Sequence, residues 1–322
     1  MIPLRDIEAA RDRIAGTGVV RTPLVRLDLA GLPVPAEVYL KLENLQPIGS
    51  FKLRGALNAI LSAPAAARKA GLVTASAGNM AQGVAWAGRS LGLPATIAVP
   101  ENAPAAKTDA IERLGGTVVK VSYDDWWQAI VTGRVDGHDG LFVHPVQDPA
   151  VIAGNGTIGL EILDDLPGTT AIVAPYGGGG LTTGIASAVK SLRPEVKIVT
   201  AEPATAAAFA AARAAGEPVD VAYQPSFVDG SGSKRVLDSM WPVVSPLVDD
   251  AVAVPVADAA AAVRLLAERA RVVAEGAGAL ALAAVLASTG TAWSGGKVVC
   301  VVSGGNINLA TLAGILTGTV AF

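Results

Sequence analysis

The chain has 322 residues, a formal net charge of −3, and 16% charged residues against 51% hydrophobic ones. This length suits two domains or one large domain, and the absence of a basic cluster argues against a nucleic-acid-binding surface. No uninterrupted apolar run reaches about 18 residues, and the charged start of the chain is unlike a signal peptide, so no membrane span is predicted. The single cysteine, Cys300, excludes an internal disulfide bond. These features predict a soluble, cytoplasmic protein.

The first part of the chain alternates between helical and strand-like patterns. A helix is predicted at residues 5–16, and the strand pattern 37–43 leads to a helix that begins near Lys52. Strands that alternate with helices indicate βαβ units and a parallel sheet. We therefore predict a small α/β domain at residues 47–145. Its strands are predicted at 72–76, 95–100, 117–122 and 141–146, and the helices between them at 80–91, 106–114 and 124–134.

The second part continues this alternation over a longer stretch. Together with the N-terminal segment it predicts a larger domain, formed by residues 1–46 and 146–322. No regulatory segment is expected after the last strand. The predicted fold class is α/β, with two open, twisted, parallel-sheet lobes. The helices of the large domain are predicted at 154–165, 181–192, 204–215, 258–272 and 276–289, and its strands at 170–175, 196–202, 251–256 and 297–303.

Lys52 is the first residue in the chain whose placement suggests chemistry. It follows a Pro-Ile-Gly-Ser turn, and Ser50 is placed like an N-cap, so Lys52 is predicted to lie in the first helical turn. There the positive end of the helix dipole disfavours the protonated amine, which suits a nucleophile or a base. By spacing alone, a surface lysine that begins a helix is the more common interpretation.

Four consecutive glycines, residues 177–180, separate an apolar strand from a helix. Their backbone N–H groups are free to converge on an anion, and the helix N-terminus adds its dipole, so a phosphate site is predicted. No Gly-Lys-Ser/Thr follows, which excludes a nucleotide P-loop. Glu202, about 20 residues on, lies where a dinucleotide-binding fold places its ribose ligand. The glycine fingerprint of that fold, GxGxxG, is nevertheless absent, because its last glycine would fall on Thr182 or Thr183.

Residues 41–56, which read KxENxQPxxSFKxRGA, resemble the cofactor-lysine motif of the serine/threonine dehydratases. These are pyridoxal 5′-phosphate (PLP) enzymes of fold type II. The resemblance covers nearly the whole chain in order and implies that PLP lies in the cleft between two lobes, at the carboxyl ends of the strands. It also implies a homodimer. Further matching segments are SAGNMAQGVA (76–85), VPENAPAAK (99–107), VIAGNGTIGLEI (151–162), EGAGAL (275–280) and SGGNIN (303–308).

The resemblance assigns a role to each part of the site. Lys52 is the covalent attachment point of PLP and the base that removes the substrate α-proton, and Ser303 hydrogen-bonds the pyridine nitrogen. Because a serine cannot keep that nitrogen protonated, the ring is a weaker electron sink, which favours β-elimination over transamination. Asn79 bonds the PLP 3′-oxygen. The predicted cofactor-binding residues are Phe51, Lys52, Asn79, Gly177, Gly178, Gly179, Gly180 and Ser303, and the predicted substrate-binding residues are Ser76, Ala77, Gly78, Asn79 and Met80.

Three positions depart from the family pattern. Met80 stands where relatives commonly carry histidine, which makes the substrate pocket more apolar. Ala77 stands where the amino-acid racemases of this family place the serine that acts on the opposite face of the cofactor, so racemisation is not expected. Family members that bind a divalent cation use a glutamate, present as Glu202, and an aspartate six residues on, where this chain has Ala208. We therefore predict no metal site, because a hard cation needs several oxygen ligands.

The predicted function is a PLP-dependent ammonia-lyase, or dehydratase. It converts an L-β-hydroxy amino acid, either threonine, serine or a bulkier analogue, to a 2-keto acid and ammonia. Within the family, the alternatives are a racemase and a β-replacement synthase, whose lysine motif usually reads SxKDR rather than the SFKLR found here. A nicotinamide-dependent oxidoreductase that uses Glu202 is the alternative from another class, and a catalytically idle ligand sensor is a further one.

Overall fold

The computed structural model describes residues 1–287, 293 and 295–319. Within these ranges strands and helices alternate along most of the chain. The strands are β1 Leu24–Arg26, β2 Glu37–Leu42, β3 Leu72–Ala75, β4 Ala95–Pro100, β5 Thr117–Val121, β6 Leu141–Phe142, β7 Thr169–Pro175, β8 Lys197–Pro203, β9 Asp250–Val254 and β10 Lys297–Val302. The helices are α1 Leu4–Ile14, α2 Lys52–Ser62, α3 Ala65–Arg68, α4 Asn79–Leu91, α5 Ala105–Arg113, α6 Tyr123–Thr132, α7 Pro149–Asp165, α8 Gly180–Leu192, α9 Ala208–Ala215, α10 Trp241–Val244, α11 Val256–Leu265, α12 Gly276–Ala287 and α13 Leu309–Thr317.

The strands form two sheets. The larger one has the order β1-β2-β10-β7-β8-β9, and its pairings are parallel except for that of β1 with β2. The smaller one has the order β5-β4-β3-β6 and is parallel throughout. Crossover helices connect the parallel strands, as this pairing requires. The predicted α/β fold class with two parallel-sheet regions is therefore confirmed.

The central strand of the larger sheet, β10, is buried on both faces. Val298, Cys300 and Val302 pack into the hydrophobic cluster that contains α12, whereas Val299 and Val301 pack into the cluster that contains residues of α7 and α8. A strand covered on both sides by helices reads as a continuous apolar run rather than an alternating one. This explains the sequence KVVCVV, and it shows that Cys300 is a core residue.

Most predicted elements are present with small shifts at their ends. The predicted strand 141–146 is paired as a strand only at its first two residues, although Val143 N–H still donates to the Val73 carbonyl at 2.8 Å. Helix α7 begins five residues earlier than predicted, because the Asp148 side chain accepts a hydrogen bond from Ala150 N–H and caps it. For the predicted helix 276–289, residues 288 and 289 lie outside the described residues.

Strand β1 and helix α13 are not predicted from the sequence. Strand β1 has only three residues, too few for a periodic signal, and its position is set by antiparallel pairing with β2. Helix α13 follows the last strand, where no further element is expected; Asn308 caps it by accepting a hydrogen bond from Ala310 N–H at 2.8 Å. In the described part of the chain, every helix is too short or too polar to cross a membrane.

Candidate active site

A cavity of about 140 Å³ lies where loops from both sheets meet. Ser76 follows β3 of the smaller sheet, while Gly177 and Ser303 follow β7 and β10 of the larger one. The cavity is therefore at the carboxyl ends of parallel strands, the usual ligand position in open α/β sheets. A larger cavity of about 580 Å³ lies beside residues 26–38, and none of the predicted site residues lines it.

Most of the predicted site residues line the smaller cavity. Ala77 and Gly78 do not line it, although they belong to the same loop. Glu275 lines it without having been assigned a role, because its only sequence signal is the EGAGAL motif, which the family resemblance covers as a whole. The predicted residues around the cavity are Phe51, Lys52, Ser76, Asn79, Met80, Gly177, Gly178, Gly179, Gly180 and Ser303, and the additional ones are Pro145, Val146, Pro175, Leu181, Gly230 and Glu275.

Lys52 is the first residue of α2, and its amine faces the cavity. Nζ donates a hydrogen bond to the Pro145 carbonyl at 2.9 Å and lies 5.2 Å from the centre of the Phe51 ring. Burial lowers the pKa of Lys52 to about 8, because the charged amine loses its hydration. About a tenth of the amine is therefore unprotonated at pH 7, far more than at the usual lysine pKa, and this unprotonated form is the one that a nucleophile or base requires.

The prediction that Ser50 caps α2 is wrong. Phe51 is the residue at the N-cap position, and no side chain caps this helix end. Ser50 instead forms an isolated β-bridge with Gly304, and Phe51 N–H donates to the Ser303 carbonyl at 3.0 Å. These bonds hold the turn that precedes Lys52 directly against the end of β10, so that Lys52 and Ser303 line the same cavity.

The glycine loop approaches its neighbours too closely for side chains. A Cβ on Gly178 would lie 2.5 Å from a Val146 methyl group, and Gly179 has a φ of +93°, a conformation that favours glycine. Gly180 begins α8, a helix of 13 residues, so the loop ends at a helix N-terminus. Backbone N–H groups and a helix dipole together favour an anion, and the loop therefore fits the phosphate of PLP. Tyr176, just before the loop, is a core residue that packs on Phe209.

Ser303 supplies a neutral hydroxyl on another wall of the cavity. It is 2% exposed and lines the cavity. A serine hydroxyl can both donate and accept a hydrogen bond. It therefore fits a ring nitrogen at this wall.

Glu202 does not serve as the ribose ligand that was considered from the sequence. It is fully buried, and its two carboxylate oxygens accept hydrogen bonds from Phe209 N–H at 3.0 Å and Ala210 N–H at 2.9 Å. The carboxylate therefore caps the start of α9, and it does not line the cavity. The nicotinamide alternative is wrong on this point, because the proposed ribose ligand is already engaged by backbone amides. The metal-free site stays a prediction.

A cluster of buried ion pairs attaches α2 to the residues around it. Arg54 donates to both oxygens of Glu43 at 2.8 Å and to both oxygens of Glu161 at 2.6 and 2.8 Å. Lys41 adds a bond to Glu161 at 2.6 Å. Burial alone would raise the pKa of Glu43, but Arg54 offsets this and the net pKa is lowered. Arg54 and Glu43 come from the motif around Lys52, whereas Glu161 is remote in sequence.

Comparison with known proteins places this site in a family. The family model described as "Pyridoxal-phosphate dependent enzyme" matches residues 16–304. L-threonine ammonia-lyase from Thermotoga maritima is 43% identical over 312 residues, which are 96% of this chain and 77% of that protein. Maize serine racemase has a similar structure, with a TM-score of 0.90, 34% identity, and coverage of 98% of this chain and 97% of that one. The processed form of threonine deaminase isoform 2 from Solanum lycopersicum has a TM-score of 0.85, 32% identity, and coverage of 98% and 91%. The chain belongs to the PLP-dependent serine/threonine dehydratase family.

Proposed function

We propose that this protein is a PLP-dependent ammonia-lyase that converts L-threonine, and also L-serine, to a 2-keto acid and ammonia. The observation that carries the proposal is one cavity that combines the Lys52 amine, the glycine loop and the neutral Ser303 hydroxyl. The 43% identity to a protein named L-threonine ammonia-lyase supports the substrate class.

Each wall of the cavity has a proposed task. Backbone N–H groups of the glycine loop bind the cofactor phosphate, Ser303 bonds the ring nitrogen, and Asn79 bonds the 3′-oxygen. Phe51 packs beside the ring. The loop Ser76, Ala77, Gly78, Asn79 and Met80 binds the substrate carboxylate at the N-terminus of α4, where Gly78 N–H already donates to Ser76 Oγ at 3.2 Å.

In the proposed mechanism Lys52 moves the proton on which the reaction depends. PLP, when bound, supplies an electron sink for the charge that develops at the substrate α-carbon. Lys52 Nζ removes the α-proton, for which its lowered pKa of about 8 provides unprotonated amine near neutral pH. The substrate β-hydroxyl then takes up a proton and leaves as water, and the released enamine is hydrolysed by a water molecule to the 2-keto acid and ammonia. Ser303 does not act as a second base, because its hydroxyl stays neutral near neutral pH.

The wider organisation of the protein is also proposed. Residues 1–46 and 146–322 form the large PLP-binding domain, and residues 47–145 form the small one, because the two sheets divide the chain in this way. We propose a cytoplasmic homodimer. Helix α13 supports self-association, since it carries no charged residue and its Leu309 side chain is 79% exposed. Light scattering after size exclusion tests the dimer, and a monomer at all concentrations would contradict it.

Release of 2-keto acid from a panel of β-hydroxy amino acids tests the function. We expect the purified holoenzyme to release keto acid from L-threonine and L-serine, and Met80, which is 1% exposed in the cavity wall, to favour the less polar substrate. Release of D-amino acid without keto acid would instead support the racemase. Turnover that requires a second, nucleophilic substrate would support the β-replacement synthase.

A further inference from the structure

Glu275 is a buried carboxyl group in the cavity wall that the proposed mechanism does not use. It directly precedes α12, is 6% exposed, and its backbone N–H donates to the Gly304 carbonyl at 3.0 Å. The side chain lies against Gly304, the residue after Ser303, where a Cβ would be 2.4 Å from Glu275 Oε1. A larger residue at position 304 would displace the carboxyl. The carboxyl therefore lies at the wall where the cofactor ring is proposed to bind.

Glu275 is one end of a hydrogen-bonded chain that passes through Asn79. Asn79 Nδ2 donates to Glu275 Oε1 at 2.9 Å, and Asn79 Oδ1 accepts from Asn306 Nδ2 at 2.7 Å. Asn306 Nδ2 is itself fixed by the Ile48 carbonyl at 2.8 Å. Because an amide group has two N–H hydrogens and one oxygen, these contacts use the oxygen and one hydrogen.

The orientation of the Asn79 amide is therefore determined from both ends. Its oxygen is turned towards Asn306, and its second Nδ2 hydrogen remains available to a group in the cavity. If Glu275 could not accept a hydrogen bond, the amide would lose one of the two contacts that distinguish its nitrogen from its oxygen, and the Asn306 contact alone would hold it less firmly. A turned amide would present an oxygen, which repels the electron-rich 3′-oxygen of PLP.

We propose that Glu275 is a positioning residue that orients the Asn79 amide, so that an N–H group of Asn79 faces the PLP 3′-oxygen. This inference rests on the proposed function, which places PLP in the cavity. Glu275 acts through Asn79 and does not itself take the substrate proton.

Glu275 also makes this contact sensitive to pH. Burial raises the pKa of Glu275 to about 7, and the nearby Asp229 raises it as well, whereas Asn79, Lys107 and the backbone N–H of Asn306 lower it. Lys52 lines the same cavity as a further titratable group. The Glu275 carboxyl is therefore protonated below neutral pH and ionised above it. An ionised carboxylate is a stronger acceptor, so it holds the Asn79 N–H more firmly.

The test uses single and double variants of the holoenzyme and measures retention of PLP. Glu275→Leu removes the acceptor and is expected to raise the PLP dissociation constant about tenfold. In an Asn79→Ala background the same replacement is expected to change it by less than about twofold, because the group that Glu275 orients is gone. Additive effects of the two replacements would overturn the proposal.

Glu275→Gln gives a second measurement that does not depend on whether the leucine variant folds. Glutamine keeps an acceptor oxygen, so PLP affinity is expected to stay within about threefold of that of the unmodified protein. The absorbance of bound PLP is expected to change with pH around neutrality in the unmodified protein, and this transition is expected to disappear in both Glu275→Gln and Asn79→Ala. A transition that persists unchanged in either variant would refute the proposed role.

Asp229→Asn is the matched control. Asp229 is exposed, raises the pKa of Glu275 and pairs with Lys107 at 2.6 Å, but it makes no bond to Asn79. Its replacement is expected to move the pH transition to lower pH without changing PLP affinity, and an unmoved transition would contradict Glu275 as the titrating group. None of these measurements requires substrate. A failure of the Glu275 proposal is therefore distinguishable from a failure of the ammonia-lyase proposal, which is decided by keto-acid release.

Discussion

Lys52 and Arg54 lie on opposite sides of α2, since they are two residues apart, and their surroundings differ completely. Arg54 has a full set of partners in Glu43 and Glu161, each contacted through both oxygens. Among the described residues, the Lys52 amine has one hydrogen-bond partner, a backbone carbonyl. A buried charge that is fully paired has no capacity left for a ligand, whereas a partly buried amine with one bond retains most of it. We call the cluster of Arg54, Glu43 and Glu161 the structural site and the cavity with Lys52 the chemical site; α2 lies between them.

The pKa values follow the same division. Against the effect of burial, Glu43 and Glu161 raise the pKa of Arg54, and Arg54 lowers the pKa of Glu43, so that both groups stay charged. At the cavity, burial dominates: the pKa of Lys52 falls to about 8 and that of Glu275 rises to about 7. Two groups whose pKa values lie near neutral pH therefore occur together at the cavity.

Replacing Lys52 gives the largest expected effect, because it removes the central group of the chemical site. Lys52→Ala is expected to abolish the visible absorbance of the lysine-bound cofactor and to reduce keto-acid release by about 10⁴-fold or more. Absorbance spectra and initial rates measure this. Appreciable turnover by the variant, without added amine, would disprove the assignment of Lys52.

Replacing Arg54 affects the structural site instead. Arg54→Met leaves two buried carboxylates without their common partner and is expected to lower the free energy of unfolding by about 3–5 kcal/mol. Arg21→Met is the control, since Arg21 pairs with Asp165 at the surface and such pairs contribute about 0–1 kcal/mol. Denaturant unfolding measures both. Equal losses in the two variants would contradict the comparison.

The sequence predicts the chemical site better than the structural one. The glycines 177–180 stand out because they combine a turn with the start of a helix, which is a local signal, and Lys52 stands out because the motif around it resembles that of a known family. The bonds between Arg54 and Glu161 join residues 107 positions apart, and no local pattern indicates such a pair. Glu275 is missed for the same reason, because its partner Asn79 is 196 positions away. Partnerships of this kind are determined by how the two sheets pack together.

A charge in the glycine loop tests the anion site. Gly179→Asp places a carboxylate beside the proposed phosphate position and is expected to weaken PLP binding on the order of a hundredfold. Gly179→Asn is the matched control: asparagine also tolerates a positive φ, here +93°, and carries no charge, so it reports backbone strain and the contact of the new side chain with Tyr176. Equilibrium dialysis of PLP compares them. Equal affinities of the two variants would mean that the phosphate lies elsewhere.

The Ser303 position tests what a neutral hydroxyl contributes. Ser303→Asp would keep the ring nitrogen protonated, so elimination is expected to slow by about tenfold while a long-wavelength absorbance or transamination appears. Ser303→Ala, which removes the hydroxyl without adding charge, is expected to produce neither the long-wavelength absorbance nor transamination. An unaltered spectrum and rate in the aspartate variant would mean that Ser303 does not contact the ring.

The smallest expected effect concerns Ala77, where the chain differs from the serine of racemases although maize serine racemase shares its fold. With Lys52 as the base on one face, the unmodified protein is expected to form little D-amino acid from L-threonine or L-serine. Ala77→Ser would add a hydroxyl near the opposite face and is expected to introduce slow, measurable D-amino acid formation. The gain is limited, because a serine needs a neighbour that accepts its proton. Met80, the buried neighbour at the start of α4, provides none.

Chiral chromatography of the remaining substrate measures this change. Ala77→Gly is the matched control, since it alters the same loop without adding a hydroxyl, and it is expected to leave D-amino acid formation unchanged. Rapid conversion of L- to D-amino acid by the unmodified protein would refute the single-face interpretation directly. It would also show that a group other than the residue at position 77 supplies the second proton.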